Sequence, residues 1–191
     1  MPQPRVRVYL ASSLDGFIAG PDDDLTWLES PEGKDDSETP GMPADAGGLA
    51  YEDFIEDVGA LLMGRRTYDV VRGFDVPWPY GTRPVLVATH RALDPDPPET
   101  VRPVHGAIGD LIGLAKEAAG HGDVYLDGGV LIRQAAEEDL IDDLTLTLAP
   151  VALGAGHPLF AGMNKRYPLE ILSYHPFTGG MLQVRARPRR S

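Results

Sequence analysis

"VYLDGGVLIRQ", residues 124–134, is the stretch on which the reading of this chain turns. A strand pattern runs into Gly128-Gly129 and then straight into an apolar helix pattern. Two explanations fit these residues alone. The glycines form a tight turn, as they do at many strand-to-helix junctions. Alternatively, the main chain passes close to a phosphate, because a residue without Cβ permits that approach and the amides and dipole of a helix N-terminus attract an anion.

Outward from this junction, strands alternate with helices. "RVRVYLAS" (5–12) alternates polar and apolar residues and reads as a strand. Residues 20–47 are rich in Asp, Pro, Gly and Ser and read as a long loop. "LAYEDFIEDV" (49–58) fits a helix and "GALLMG" (59–64) a short buried strand. "RTYDVVRGF" (66–74) fits a helix with Thr67 as its N-cap. "PVLVAT" (84–89) is a further buried strand, and "DPDPPE" (94–99) a turn-rich connection. In "GDLIGLAKEAAG" (109–120) the apolar residues 111, 114, 115 and 118 follow helical spacing up to Gly120. "DDLTLTLAPV" (142–151) is a strand with one apolar face. "LEILSYH" (169–175) and "GMLQVRAR" (180–187), joined by "PFTGG", read as a closing antiparallel hairpin. The expected architecture is one α/β domain spanning 1–191, with a mostly parallel sheet and an antiparallel edge.

Composition narrows the function classes. The net charge of −12 argues against a nucleic-acid partner and against anionic membrane surfaces. No apolar run approaches the roughly 20 residues of a membrane span, and a cytoplasmic protein is expected. With no cysteine, disulfides, thiolate metal sites and a cysteine nucleophile are excluded. Charge is unevenly placed: Asp22 to Asp57 holds thirteen acidic residues and only Lys34 as a cation, whereas arginines gather at 65, 66, 72, 83 and 91. A small anion would find its partners among those arginines.

Three other strand ends carry polar groups. In "LLMGRRTYD" (61–69) a strand ends in glycine and opens a helix with Arg65 and Arg66 in its first turn. Cations there oppose the helix dipole; a bound anion resolves the conflict, and so does simple solvation. In "VLVATHRAL" (85–93) a strand ends in Thr89, His90 and Arg91, suited to a phosphate or to a plain loop. In "YLASSLDGFIAGPDDDLTWL" (9–28), Ser12, Ser13 and Asp15 are candidates to bind a polar substrate, unless Asp15 only closes its own turn. Trp27 is either a stacking aromatic or a core residue. His157 in "LGAGHPLF" has no second histidine near it in sequence, so no metal site is expected.

In this order and spacing, "SLDGFIAG" with "LTWL", "MGRRTYD", "YLDGGVLIRQ" and "LTLTLAPVALGAGHPLF" resemble the dihydrofolate reductase superfamily. The closer resemblance is to the reductase domain of the bifunctional riboflavin-biosynthesis deaminase–reductase and its free-standing bacterial relatives. It covers nearly the whole chain and implies a sheet of about eight strands. It also implies NADPH as cofactor and a homodimer. By position it would place Ala11 and Ile18 at the nicotinamide. Gly64, Arg65, Arg66 and Thr67 would hold the pyrophosphate, with Thr89, His90 and Arg91 near the 2′-phosphate. Gly128, Gly129, Val130 and Leu131 would pass under the pyrophosphate and nicotinamide ribose, and the glycine pair would serve that approach.

The reaction so implied is hydride transfer to a small heterocyclic or ribosylaminopyrimidine-type substrate, of the kind reduced by a 5-amino-6-(5-phosphoribosylamino)uracil reductase. The cofactor supplies the hydride and the protein supplies orientation. Ser13, Asp15, Trp27 and Thr147 would border the substrate, and no proton donor is identified. Dihydrofolate reduction is the alternative within the class; it needs an acid from Asp45, Glu52, Asp53, Glu56 or Asp57 facing the pocket. A non-catalytic nucleotide-binding module is the alternative outside it, and would show a cavity closed at the nicotinamide end.

Overall fold

The computed structural model describes residues 3–28 and 47–189. The strands of the main sheet are β1 (Val6–Ser13), β3 (Val58–Gly64), β4 (Val85–Ala88), β5 (Val101–Val104), β6 (Asp123–Asp127), β7 (Asp143–Ala149), β9 (Leu169–Pro176) and β10 (Leu182–Pro188). Their spatial order is β5-β4-β3-β6-β1-β7-β10-β9. The strands from β5 to β7 pair in parallel. β10 runs antiparallel to both β7 and β9, so the expected C-terminal hairpin closes the sheet. A separate ribbon pairs β2 (Phe17–Ala19) with β8 (His157–Pro158). The helices are α1 (Tyr51–Glu56), α2 (Arg65–Arg72), α3 (Ile108–Ala119) and α4 (Gly129–Glu137).

The central strands are apolar on both sides because both sides are covered. Alternate residues divide between two cores. Val6, Val8, Leu62, Leu86, Leu126 and Leu144 pack under α3 and α4 through Leu111, Ile112 and Ile132. Leu61, Met63, Val85, Val87 and Tyr125 meet Phe54 of α1 and Tyr68 of α2 on the other face. Each such fully buried side chain contributes roughly 1.5–3 kcal/mol.

Three details differ from the sequence reading. No strand is expected at 101–104, because only Val101 and Val104 of β5 are buried; Arg102 and Pro103 fit only a sheet edge. α2 begins at Arg65, one residue before the expected stretch 66–74, and its N-cap is extended Gly64 (φ −72°, ψ 157°), so Thr67 sits inside the first turn and is not the N-cap. The ribbon of β2 and β8 is too short to show a periodic pattern, since it depends on Phe17 meeting Pro158 across the chain. Residues 29–46 of the acidic loop, Asp45 included, lie outside the described residues. Among the described residues no helix is long and apolar enough to cross a membrane.

At the N-terminal edge of the parallel strands, Arg7 is 3% exposed and reaches both Asp57 (3.1 Å) and Asp123 (3.2 Å). Its guanidinium lies 4.8 Å from the centre of the Phe54 ring. This cluster ties α1, β1 and β6 together at the end of the sheet where β1 and β6 begin. The C-terminal ends of the strands are thereby left for the helix N-termini and the cavity.

Candidate active site

The parallel strands β1, β3, β4 and β6 end along one edge, and α2 and α4 start there directly from β3 and β6. Ligand crevices in open α/β sheets form at such an edge. A cavity of about 540 Å³ opens there, within the usual range for small-molecule sites. It brings together Ala11, Ile18, Gly64, Arg65, Arg66, Thr67, Gly128, Gly129, Val130 and Leu131, all expected cofactor contacts. Ala11 and Ile18, the residues that the resemblance would place at the nicotinamide, are among those that line it.

Neither α2 nor α4 has a side-chain cap at its N-terminus. Their first-turn amides are therefore left for water or a ligand. The glycines at these junctions differ in what holds them. Gly128 has φ +97°, and a Cβ on it would lie 2.7 Å from Thr67 Oγ1. A Cβ on Gly129 would lie 3.0 Å from the Pro158 carbonyl oxygen and 3.1 Å from Ile18 Cδ1. Its positive φ and the Thr67 contact fix glycine at 128, and the Pro158 carbonyl and Ile18 crowd a Cβ at 129, whatever the cavity holds. Gly64 is different: a Cβ there meets nothing within 4 Å, and its backbone is one that any residue can adopt. The open space left at Gly64 is a cradle that a Cβ would fill, and it fits an anionic group bound at the start of α2.

The arginines are already engaged. Arg65 donates to Asp69 (2.7 Å) and to the Ala92 carbonyl, and lies 3.6 Å from Asp94. It thereby joins α2 to the loop after β4. Arg66 pairs with Asp23, whose carboxylate is also 3.5 Å from His157 Nε2. Asp22 and Asp23 both have positive φ (56° and 63°), uncommon for residues with a side chain. Arg133 of α4 donates to the Pro158 and Leu159 carbonyls and so fixes β8 at the cavity wall.

Thr89, His90 and Arg91 do not line the cavity. The Arg91 amide donates to Thr89 Oγ1 (3.0 Å), and the exposed His90 ring lies 5.7 Å from His105. They belong to the loop that Arg65 reaches, one step outside. The four expected substrate contacts are not gathered by the cavity either. Ser13 is buried and its hydroxyl donates to Asp15 (2.6 Å), while Asp15 accepts the amides of Leu153 (3.0 Å) and Gly154 (2.7 Å). The Ser13 hydroxyl and these amides hold the Asp15 carboxyl down at about 2. Asp15 is a clasp between two loops. Trp27 donates its indole N–H to the Asp24 carbonyl (3.1 Å), and Thr147 lies within the sheet opposite Ala11 and Gln183. Glu52, Asp53, Glu56 and Asp57 are exposed and do not line the cavity. No group of acidic and histidine residues suited to a metal occurs among the described residues.

One acid that does line the cavity is Asp127, the last residue of β6, which sequence reasoning passed over. It accepts the Gly128 amide at 2.7 Å. Burial pushes its carboxyl up to about 6, only partly offset by that amide and by the Tyr125 hydroxyl. No cation contributes to this balance. Its position immediately before the glycine pair was the available signal: the residue ending a parallel strand points toward the crevice.

A family model described as the RibD C-terminal domain matches residues 77–182. A solved structure from Shewanella sp. PV-4, provisionally assigned to riboflavin biosynthesis, is 32% identical; the match covers 97% of this chain and 99% of that one, with a TM-score of 0.80. The Thermotoga maritima diaminohydroxyphosphoribosylaminopyrimidine deaminase/5-amino-6-(5-phosphoribosylamino)uracil reductase shares the fold at 16% identity, over 98% of this chain and 57% of that one, with a TM-score of 0.64. A dihydrofolate reductase from Enterococcus faecalis, solved with NADP(H), shares it at 16% identity over 98% of each chain, with a TM-score of 0.57.

Proposed function

This chain belongs to the RibD C-terminal domain family, and on that premise we propose that it is an NADPH-dependent reductase of a small heterocyclic substrate. The observation that carries the reading is the convergence of two uncapped helix N-termini, α2 and α4, with Arg66 and the open cradle of Gly64, on one cavity. Gly64, Arg66 and Thr67 would hold the phosphates, and Ala11 and Ile18 would border the nicotinamide. The bound cofactor would supply a hydride to an electron-poor C=N or C=O carbon. Reduction also consumes one proton, and Asp127 is a cavity group able to hold one close to neutral pH. The apolar side chains of Leu10 and Val71 line the cavity and would shield the reacting atoms from water.

The test is calorimetric titration of the protein with NADPH and with NADH. NADPH binding that weakens at least tenfold in Arg66→Ala supports the reading. Failure to bind either nucleotide would overturn it.

A further inference from the structure

Three polar side chains meet at the mouth of the cavity, and two of them are paired. Oδ1 of Asp23 accepts the Arg66 guanidinium, and the same oxygen lies 3.5 Å from His157 Nε2. All three residues line the cavity, as does Gly64 at the start of α2. His157 Nε2 is buried, yet it makes no hydrogen bond. A buried polar nitrogen without a partner is unfavourable and calls for a reason.

The backbone around this nitrogen is fixed. β8 sets His157 opposite Ala19 of β2, and Gly156 lets the chains approach so closely that a Cβ there would lie 2.1 Å from the Ala19 carbonyl oxygen. Arg133 holds the other side through the Pro158 carbonyl. The loop that carries Asp23 is closed by the Gly20 amide on the Asp24 carbonyl (2.8 Å). Its left-handed backbone at Asp22 and Asp23 persists where surrounding contacts over-determine it. What is left to turn is the Asp23 side chain. Its 3.5 Å gap to His157 needs to shorten only to about 2.8 Å for a charge-assisted bond.

We propose that His157 is a positioning residue for nucleotide binding: when a phosphate takes Arg66, Asp23 passes to His157, which takes up a proton from solvent to receive it. This rests on the reductase reading in requiring a nucleotide phosphate at Arg66. A phosphate at the start of α2 claims the guanidinium and would leave Asp23 an unpaired anion facing another. Protonated imidazole donates from both nitrogens, and histidine is the side chain that changes charge near neutral pH. The other charged groups around His157 cannot serve. Asp22 is an anion, Arg66 is taken by the phosphate, and Arg133 is engaged by the Pro158 and Leu159 carbonyls.

The experiment is calorimetric titration with NADPH near neutral pH, repeated in two buffers of different ionisation enthalpy, which counts the protons taken up on binding. Wild type is expected to take up a larger fraction of a proton than His157→Gln. Its affinity relative to that variant should rise severalfold as the pH is lowered from about 8 to about 6.5. Comparing the two proteins cancels the contributions of Asp127 and of the nucleotide's own phosphates. Asp23→Asn removes the carboxylate to be passed on and should abolish the same excess. Equal proton uptake in wild type and His157→Gln, or the full excess persisting in Asp23→Asn, overturns the proposal and leaves the reductase reading intact. So does a His157→Gln protein weakened by the same factor at every pH, because His157 then acts without its proton. A wild-type protein that binds neither NADPH nor NADH overturns the reductase reading and the proposal with it.

Discussion

Asp23 occupies the guanidinium of Arg66 at the mouth of the cavity. The pair joins the loop after β2 to the first turn of α2, and Arg66 remains 58% exposed. A phosphate approaching Arg66 must displace a carboxylate already in place. Exposed ion pairs are worth about 0.2–1 kcal/mol, so Asp23→Asn should tighten NADPH binding by up to about fivefold. Weaker binding in this variant, measured by calorimetry, would show that Asp23 helps to build the site and does not compete for it.

Gly64 and Gly129 separate ligand effects from folding effects. Gly64→Ala places a methyl group in open space on an ordinary backbone, so the melting temperature should hardly move. NADPH affinity should fall about tenfold or more if phosphate lies there. Gly129→Val meets the Pro158 carbonyl and Ile18, and should cost about 1–3 kcal/mol of stability, as overpacked sites do. A Gly64→Ala protein with unchanged nucleotide affinity would place the phosphate elsewhere.

The raised carboxyl of Asp127 makes stability depend on pH in a definite direction. Its folded value is about 6 against an unperturbed 3.8, so the folded state holds the proton more tightly. The associated stability is fully present below about pH 4 and is lost as pH rises through 6, with an upper bound of about 3 kcal/mol. Asp127→Asn should remove this dependence. Denaturant titrations at pH 5 and 7.5 test it: an equal loss with rising pH in wild type and variant would remove Asp127 as the cause.

Asp15 carries the opposite sign. Its carboxyl is held at about 2, so its contribution is present above pH 4 and is lost as pH falls through 2. Asp15→Ala frees the Leu153 and Gly154 amides and should lower the melting temperature. Substrate KM should stay within twofold of wild type. A large rise in KM without loss of stability would restore Asp15 as a substrate contact.

The edge strand β9 exposes Ile171, Leu172 and Tyr174, the last at 70%. We expect the chain to pair with a second copy through this edge, as long apolar edges are rarely left open. Sedimentation should give a dimer, and Ile171→Lys with Tyr174→Lys a monomer. A wild-type monomer at micromolar concentration would remove the expectation.

Much of the architecture was legible because it is local. The apolar runs at 59–64 and 84–89, the helical spacing at 109–120 and the glycines that lead from β3 into α2 and from β6 into α4 are short-range patterns, and each marks its element within a few residues. The gathering of Gly64, Arg66 and Gly128 into one cavity also followed from residue order, because parallel strands align their ends on one edge. Among the elements that escaped, β5 is a strand only because its edge position tolerates Arg102 and Pro103, and β2 and β8 are too short to carry a period. What the tertiary structure alone decided is which polar groups remain available. Asp15 is consumed by amides from residues 153 and 154, Arg66 by Asp23, and Asp57 by Arg7. Asp127, without a cationic neighbour, is left in the cavity with its proton near neutrality. Each outcome depends on contacts between residues far apart in the chain, and no local pattern encodes which partner a carboxylate will meet when the sheet assembles.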